Sequence, residues 1–127
     1  MPDRLNLAAF VPLTPVSFEI LLALAGGEQH GYAVMLEIEQ RTNGAISLHA
    51  GSLYRALNRL LETGLIEELD ERPDPKNDDE RRRYYKLTAK GLAVARGEAR
   101  RLELQVEAAR QRRLLPGHSS SALRTRP

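Results

Sequence analysis

The sequence predicts a mainly α-helical fold with a small β-hairpin wing: a winged helix-turn-helix followed by a long C-terminal dimerisation helix. Three observations lead there. Residues 50–91 run from a helix with one apolar stripe into a short strand, a charged turn, and a second strand that opens on Arg81, Arg82 and Arg83. Two shorter helical segments, each closed by glycine, precede that run. A heptad-like series of apolar residues follows it. At 127 residues the chain is one domain's worth, with an apolar fraction of 42% suited to a modest core.

Residues 1–13 read as an N-terminal arm. Thr14 then offers a helix N-cap and Pro15 occupies the first helical position, where its missing N–H costs nothing. Leu13 and Phe18 are spaced for a hydrophobic staple across that cap. The first helix runs to about Ala25, where Gly26-Gly27 ends it. The second begins near His30 or Gly31, with Val34, Met35 and Ile38 on one face, and Asn43-Gly44 supplies a left-handed stop. Ile46-Ser47-Leu48 alternates and is expected to form a very short strand.

The third helix starts near Ala50. At 100° per residue Leu53, Leu57, Leu60, Leu61 and Gly64 share a narrow arc, opposite Gly51, Ser52, Arg55, Asn58, Arg59 and Glu62. Residues 65–69 and 84–87 are the wing strands, separated by an acidic, proline-bearing loop. Thr88 precedes the fourth helix, on which Leu92, Ala95, Ala99, Leu102, Val106 and Ala109 form a seam. The domain plan is therefore arm 1–13, DNA-binding domain 14–91, dimerisation helix 92–115 and disordered tail 116–127.

Helix three carries the chemistry. A helix that docks one face on its neighbours and enters a major groove with the other needs small residues early and polar or basic ones next. Gly51 and Ser52 come early; Arg55, Asn58 and Arg59 follow. Arginine can give guanine two parallel hydrogen bonds and asparagine can bridge adenine. Most exposed arginines are simply solvated, so from this helix alone a reading face and a solvated face are equally open. Tyr54, at the stripe's edge, is expected to pack its ring and send its hydroxyl to a phosphate. In the wing, residues 71–83 hold five acids and five bases, so the Arg81 to Arg83 end, not the tip, is the expected phosphate contact. On helix four the seam overhangs so small a domain and calls for a second copy to cover Leu102, Val106 and Ala109.

Other classes find little support. The net charge of +2 argues nothing about nucleic acid by itself. With no cysteine there is no disulfide frame, thiolate metal site or thiol nucleophile. His30, His49 and His118 lack ligand spacing, and Asp78-Asp79-Glu80 has no partner histidine nearby. Gly26-Gly27 is no phosphate loop and no residue sits in a nucleophile elbow, so neither an enzyme nor a cofactor is expected. Met1 to Asn6 carry no secretory pattern and the longest apolar run, residues 20–25, is far short of a membrane span. A soluble cytoplasmic protein without membrane partners is expected. The alternative to DNA reading is a winged-helix module that docks another protein, supported by the neutral wing.

Three motifs carry a resemblance: HGYAVMLEIEQRTNG from His30, GSLYRALNRLLETGLIEE from Gly51, and RRRYYKLTAKG from Arg81. Together with the first helix, over residues 13–91, the chain resembles the PadR-like transcriptional regulators of the short form. The resemblance implies a homodimeric DNA-binding repressor with dimer contacts mainly from the C-terminal helix. It places Tyr32, Ser52, Tyr54 and Arg55 near DNA, with wing residues around Arg82. Some short members hold aromatic compounds between subunits with tryptophan; this chain has none, which leaves the identity of any small-molecule effector open.

Overall fold

The computed structural model describes residues 6–69 and 83–117. Helix α1 (Pro15–Ala25) leads through a two-residue strand β1 (Gln29–His30) into α2 (Gly31–Arg41) and α3 (Ala50–Glu62). Strands β2 (Ile66–Glu68) and β3 (Tyr84–Leu87) follow, then α4 (Ala89–Gln111). The starts of α1, α2 and α4 and the ends of α2 and α3 have local causes. Thr14 accepts from the Ser17 N–H at 3.1 Å, His30 Nδ1 from Ala33 N–H at 3.1 Å, and Thr88 from Gly91 N–H at 3.0 Å. Positive φ values at Asn43 (53°), Gly44 (81°) and Gly64 (79°) turn the chain out of α2 and α3.

The three strands form an antiparallel sheet in the order β1-β3-β2. Gln29 faces Tyr85 on one side of β3, while Ile66 faces Leu87 and Glu68 faces Tyr85 on the other. The ladder continues past the strand ends, from Leu69 N–H to Tyr84 O at 2.9 Å and from Gly31 N–H to Arg83 O at 3.2 Å. The residues expected to form a strand at Ile46, Ser47 and Leu48 do not. Their alternation finds no partner edge: β3 is flanked on both sides, and the sheet's third strand comes from Gln29-His30, whose two residues are too few to show a period. Ile46 and Leu48 pack against the core instead.

One core unites the elements. Ile20, Leu21 and Leu24 of α1 meet Val34 and Ile38 of α2, Leu53, Leu57 and Leu60 of α3, Leu65, Ile66, Tyr85 and Val94. On α3 the buried stripe is Leu53, Ala56, Leu57 and Leu60, with Leu61 only half-buried and Gly51, Arg55, Asn58, Arg59 and Glu62 exposed. Arg41 at the end of α2 reaches back to Glu19 of α1 at 2.7 Å and pairs with Glu37. That ties the two helices on which α3 rests.

The joint between α3 and α4 is tight. Thr88 Oγ1 donates to Gly64 O at 2.7 Å, and Lys90 Nζ donates to Thr63 O at 2.9 Å while lying 4.6 Å from the Phe10 ring centre. Gly91 lies so close to Leu65 that a Cβ there would sit 1.9 Å from the Leu65 carbonyl oxygen. Beyond this joint α4 buries Val94, Ala95 and Glu98 and then leaves the domain. From Glu103 to Gly117 no described residue is buried. Among the described residues no helix is long and apolar enough to cross a membrane.

Candidate nucleic-acid interface

The sequence-predicted reading residues of α3 converge on one face. Arg55, Asn58 and Arg59 are exposed and Ser52 is half-buried beside them. Arg55 Nη2 donates to Ser52 Oγ at 3.3 Å, and the absent side chain of Gly51 leaves Arg55 Nη1 room along the first turn. The guanidinium thus lies over the N-terminal turn of α3, the part of a recognition helix that meets base edges. Neither Arg55 nor Arg59 is paired with a carboxylate among the described residues. His49, the N-cap of α3, makes no side-chain hydrogen bond to the first turn, unlike the caps of the other three helices.

Tyr32, at the start of α2, is 49% exposed. Tyr54 is placed differently. Its ring packs on the core and its hydroxyl oxygen is buried against Gly31, where an added Cβ would come within 2.9 Å. A hydroxyl so placed spaces α2 from α3 instead of facing solvent.

The described base of the wing is electrostatically quiet. Arg83 Nε lies 3.4 Å from Glu68 Oε2, and Lys86 Nζ lies 3.6 Å from Glu67 Oε2. The antiparallel register puts Glu67 opposite Lys86 and Glu68 beside Tyr85, so these pairs follow from strand pairing. The acids counted in the sequence, within residues 71–83, do not include these two. Arg81, Arg82 and the wing tip lie outside the described residues.

The seam expected on α4 divides. Ala95 is buried within its own chain, while Leu92 is 37% exposed, Val106 is 39% exposed and Ala99 is exposed; Leu102 and Ala109 are half-buried. Leu104, Leu114 and Leu115 add exposed apolar surface that the heptad count did not include. An open groove of about 470 Å³ runs along this stretch between Leu102, Val106 and the ion-paired Arg100 and Glu103.

Glu98, which sequence reasoning missed, is the one carboxylate fully buried among the described residues, at 2% exposed. Arg101 clamps it with two hydrogen bonds of 2.8 Å. These bonds from Arg101 outweigh burial and hold the carboxyl below the usual glutamate range; the same pairing raises Arg101. The signal was present: Gly91, Val94, Ala95 and Glu98 share one helix face, and a glutamate on a buried face needs a cation three or four residues away. Among the described residues no cluster of histidine and carboxylate side chains could hold a metal ion.

Comparison with known proteins bears on this geometry. Residues 20–96 match the model of the transcriptional regulator PadR-like family. No curated protein matches the chain in sequence. The fold is similar to that of a transcriptional regulator from Clostridium thermocellum, at 26% identity over 76% of this chain and 87% of that one, with a TM-score of 0.61. A PadR family transcription regulator from hypervirulent Clostridium difficile R20291 is 21% identical over 77% of this chain and 97% of its own, with a TM-score of 0.62. Bacillus subtilis PadR in complex with operator DNA is 22% identical over 68% of this chain and 47% of its own, with a TM-score of 0.57.

Proposed function

The chain belongs to the PadR-like family of transcriptional regulators, and from that premise we propose that it is a cytoplasmic, non-enzymatic repressor that holds a pseudo-palindromic DNA operator as a homodimer. The carrying observation is the two-sided construction of α3. One side is locked into the core by Leu53, Leu57 and Leu60; the other presents Arg55, Asn58 and Arg59 with no carboxylate partner among the described residues. The similarity in fold to Bacillus subtilis PadR, which is in complex with operator DNA, supports DNA as the partner. Arg55 and Asn58 would read base edges in the major groove, with Ser52 orienting Arg55. A phosphate would accept from the first-turn N–H groups of α3 that His49 leaves uncapped, and Tyr32, Arg82 and Arg83 would set the register on neighbouring phosphates.

Dimerisation supplies the second half-site. The apolar side chains of Leu104 and Val106 are exposed on a part of α4 where no described residue is buried, and a second copy would bring two α3 helices to successive major grooves about 34 Å apart. The ion pairs at the wing base favour a second reading, a winged-helix module that docks a protein. Selection of bound duplexes from a random pool separates the two. Enrichment of a two-fold symmetric sequence supports the repressor; no enrichment, with weak and salt-insensitive retention on heparin, supports the docking module.

A further inference from the structure

His30 serves three elements at once. Its backbone ends β1 and pairs with Tyr84 at the start of β3. Its Nδ1 accepts the Ala33 N–H at 3.1 Å and so caps α2. Its ring meets the Tyr84 ring edge-on, with centroids 5.3 Å apart and planes at 82°. The strand register explains the ring contact. Gly31 N–H donates to Arg83 O at 3.2 Å, which puts Gly31 and Arg83 at a hydrogen-bonded position of the ladder. His30 and Tyr84 are then the neighbouring non-hydrogen-bonded pair, the kind whose side chains stand closer. The cap alone does not call for histidine. Asparagine, aspartate or serine makes the same bond to the third residue of a helix and is preferred there. What histidine adds is a ring that reaches across to β3.

That corner lies between two residues assigned to phosphates. Tyr32 is two positions after His30, and Arg83 immediately precedes Tyr84. Strand β1 contributes only two residues to the ladder, too short a pairing to hold the corner stiffly without side-chain contact across it. We propose that His30 is a positioning residue for DNA binding: by capping α2 and pressing its ring on Tyr84, it holds Arg83 in register with the first turn of α2, so that helix start and wing base meet the DNA backbone as one surface. The inference rests on the DNA-binding reading above.

Salt titrations of the full-length protein test it, by fluorescence anisotropy on the selected duplex and on a random-sequence duplex. His30→Asn keeps the cap acceptor and removes the ring. Tyr84→Leu keeps the cap and removes the ring's partner, and Tyr84→Phe restores that partner. His30→Asn and Tyr84→Leu should keep a native circular dichroism spectrum and bind both duplexes about three- to tenfold more weakly, by the same factor, because a phosphate contact weakens while the base readers stay. Their log–log salt slopes should be shallower by about one to two, at about 0.9 for one phosphate in each copy of the dimer. The double variant should be no weaker than either single one, since both remove one contact. Tyr84→Phe should bind as the native protein does. A histidine that only caps α2 predicts native affinity and slope for His30→Asn; that result overturns the proposal, as does a failure of Tyr84→Phe to restore binding. If Tyr84→Leu does not fold, His30→Asn decides the matter alone. A native protein that binds neither duplex would remove the DNA-binding reading itself, whereas native binding with an unchanged His30→Asn slope removes only this inference.

Discussion

Replacing Gly91 by alanine should be far more damaging than the addition of one methyl group suggests. The new Cβ would lie 1.9 Å from the Leu65 carbonyl oxygen and 2.9 Å from its carbon, both backbone atoms with no rotamer to yield. An acceptable carbon–oxygen contact begins near ~3.3 Å, so the two backbones must part by about 1.4 Å. That movement breaks the Thr88 N–H bond to the same oxygen, now 3.2 Å, and stretches the Thr88 Oγ1 bond to Gly64 O. Overpacking costs about 1–3 kcal/mol. Two lost hydrogen bonds add about 0.5–1.5 kcal/mol each. Exchanging glycine for alanine in a helix returns up to about 1 kcal/mol. The net loss is about 1–6 kcal/mol with its centre near 3, which lowers the melting temperature of a domain of this size by roughly 4 °C per kcal/mol, or about 12 °C at the centre. Thermal and urea melts followed by circular dichroism, at one fixed protein concentration, would measure it. Gly51→Ala is the control, because its Cβ meets only Arg55 Nη1 at 3.7 Å and should leave stability unchanged or slightly higher. If Gly91→Ala melts within about 2 °C of the native protein, the joint is looser than the geometry states and the reasoning is refuted.

Three further outcomes are expected. The Glu98 carboxyl sits below its ordinary range in the folded chain, so its contribution is present above the unfolded pKa and is lost as pH falls through the folded one. The stability gap between native protein and Glu98→Gln should accordingly be constant near neutrality and close in acid below about pH 4; urea melts that show a gap independent of pH would contradict the pairing. Arg55→Ala should weaken binding to the selected duplex by about 1–3 kcal/mol, or roughly 5- to 150-fold, in fluorescence anisotropy. An equal loss on random-sequence DNA would make Arg55 a phosphate contact and not a reader. Val106→Glu places a charge on the exposed overhang, so it should shift sedimentation toward monomer while the far-ultraviolet spectrum stays native; an unchanged dimer would move the interface elsewhere on the chain.

The helices were legible in the sequence because each has its own punctuation. Thr14-Pro15, Asn43-Gly44, Gly64 and Thr88 act within one turn of themselves, and the apolar arc of α3 repeats often enough to show its period. Strand β1 was illegible for the converse reason. Gln29-His30 is too short for alternation and exists because β3 presents an edge to it, a fact about residues 54 and 56 positions away. The face of α3 was read correctly as a surface, but not the fate of the Tyr54 hydroxyl, which depends on Gly31 lacking a side chain across the α2–α3 gap. The wing's ion pairs follow the same rule. Glu67 and Glu68 become partners of Lys86 and Arg83 only once the strand register is known. Local chemistry could be read from sequence, and contacts created by pairing could not.

Those wing pairs also decide what kind of DNA binding the proposed repressor would show. A cation already held by a carboxylate releases fewer counterions on meeting a phosphate, since its field is partly cancelled before the encounter. If each protomer neutralises about three phosphates, a dimer contacts about six, and the logarithm of affinity should fall with the logarithm of salt at a slope near −5. A protein gripping mainly by charge would show a steeper slope and little discrimination between sequences. The chain's net charge of +2 and the exposed arginines on α3, without a carboxylate partner among the described residues, point the other way. Affinity would then come from base contacts made twice, at a separation set by α4. Such a protein should bind random DNA weakly at physiological salt and lose most of its operator affinity when one half-site is scrambled.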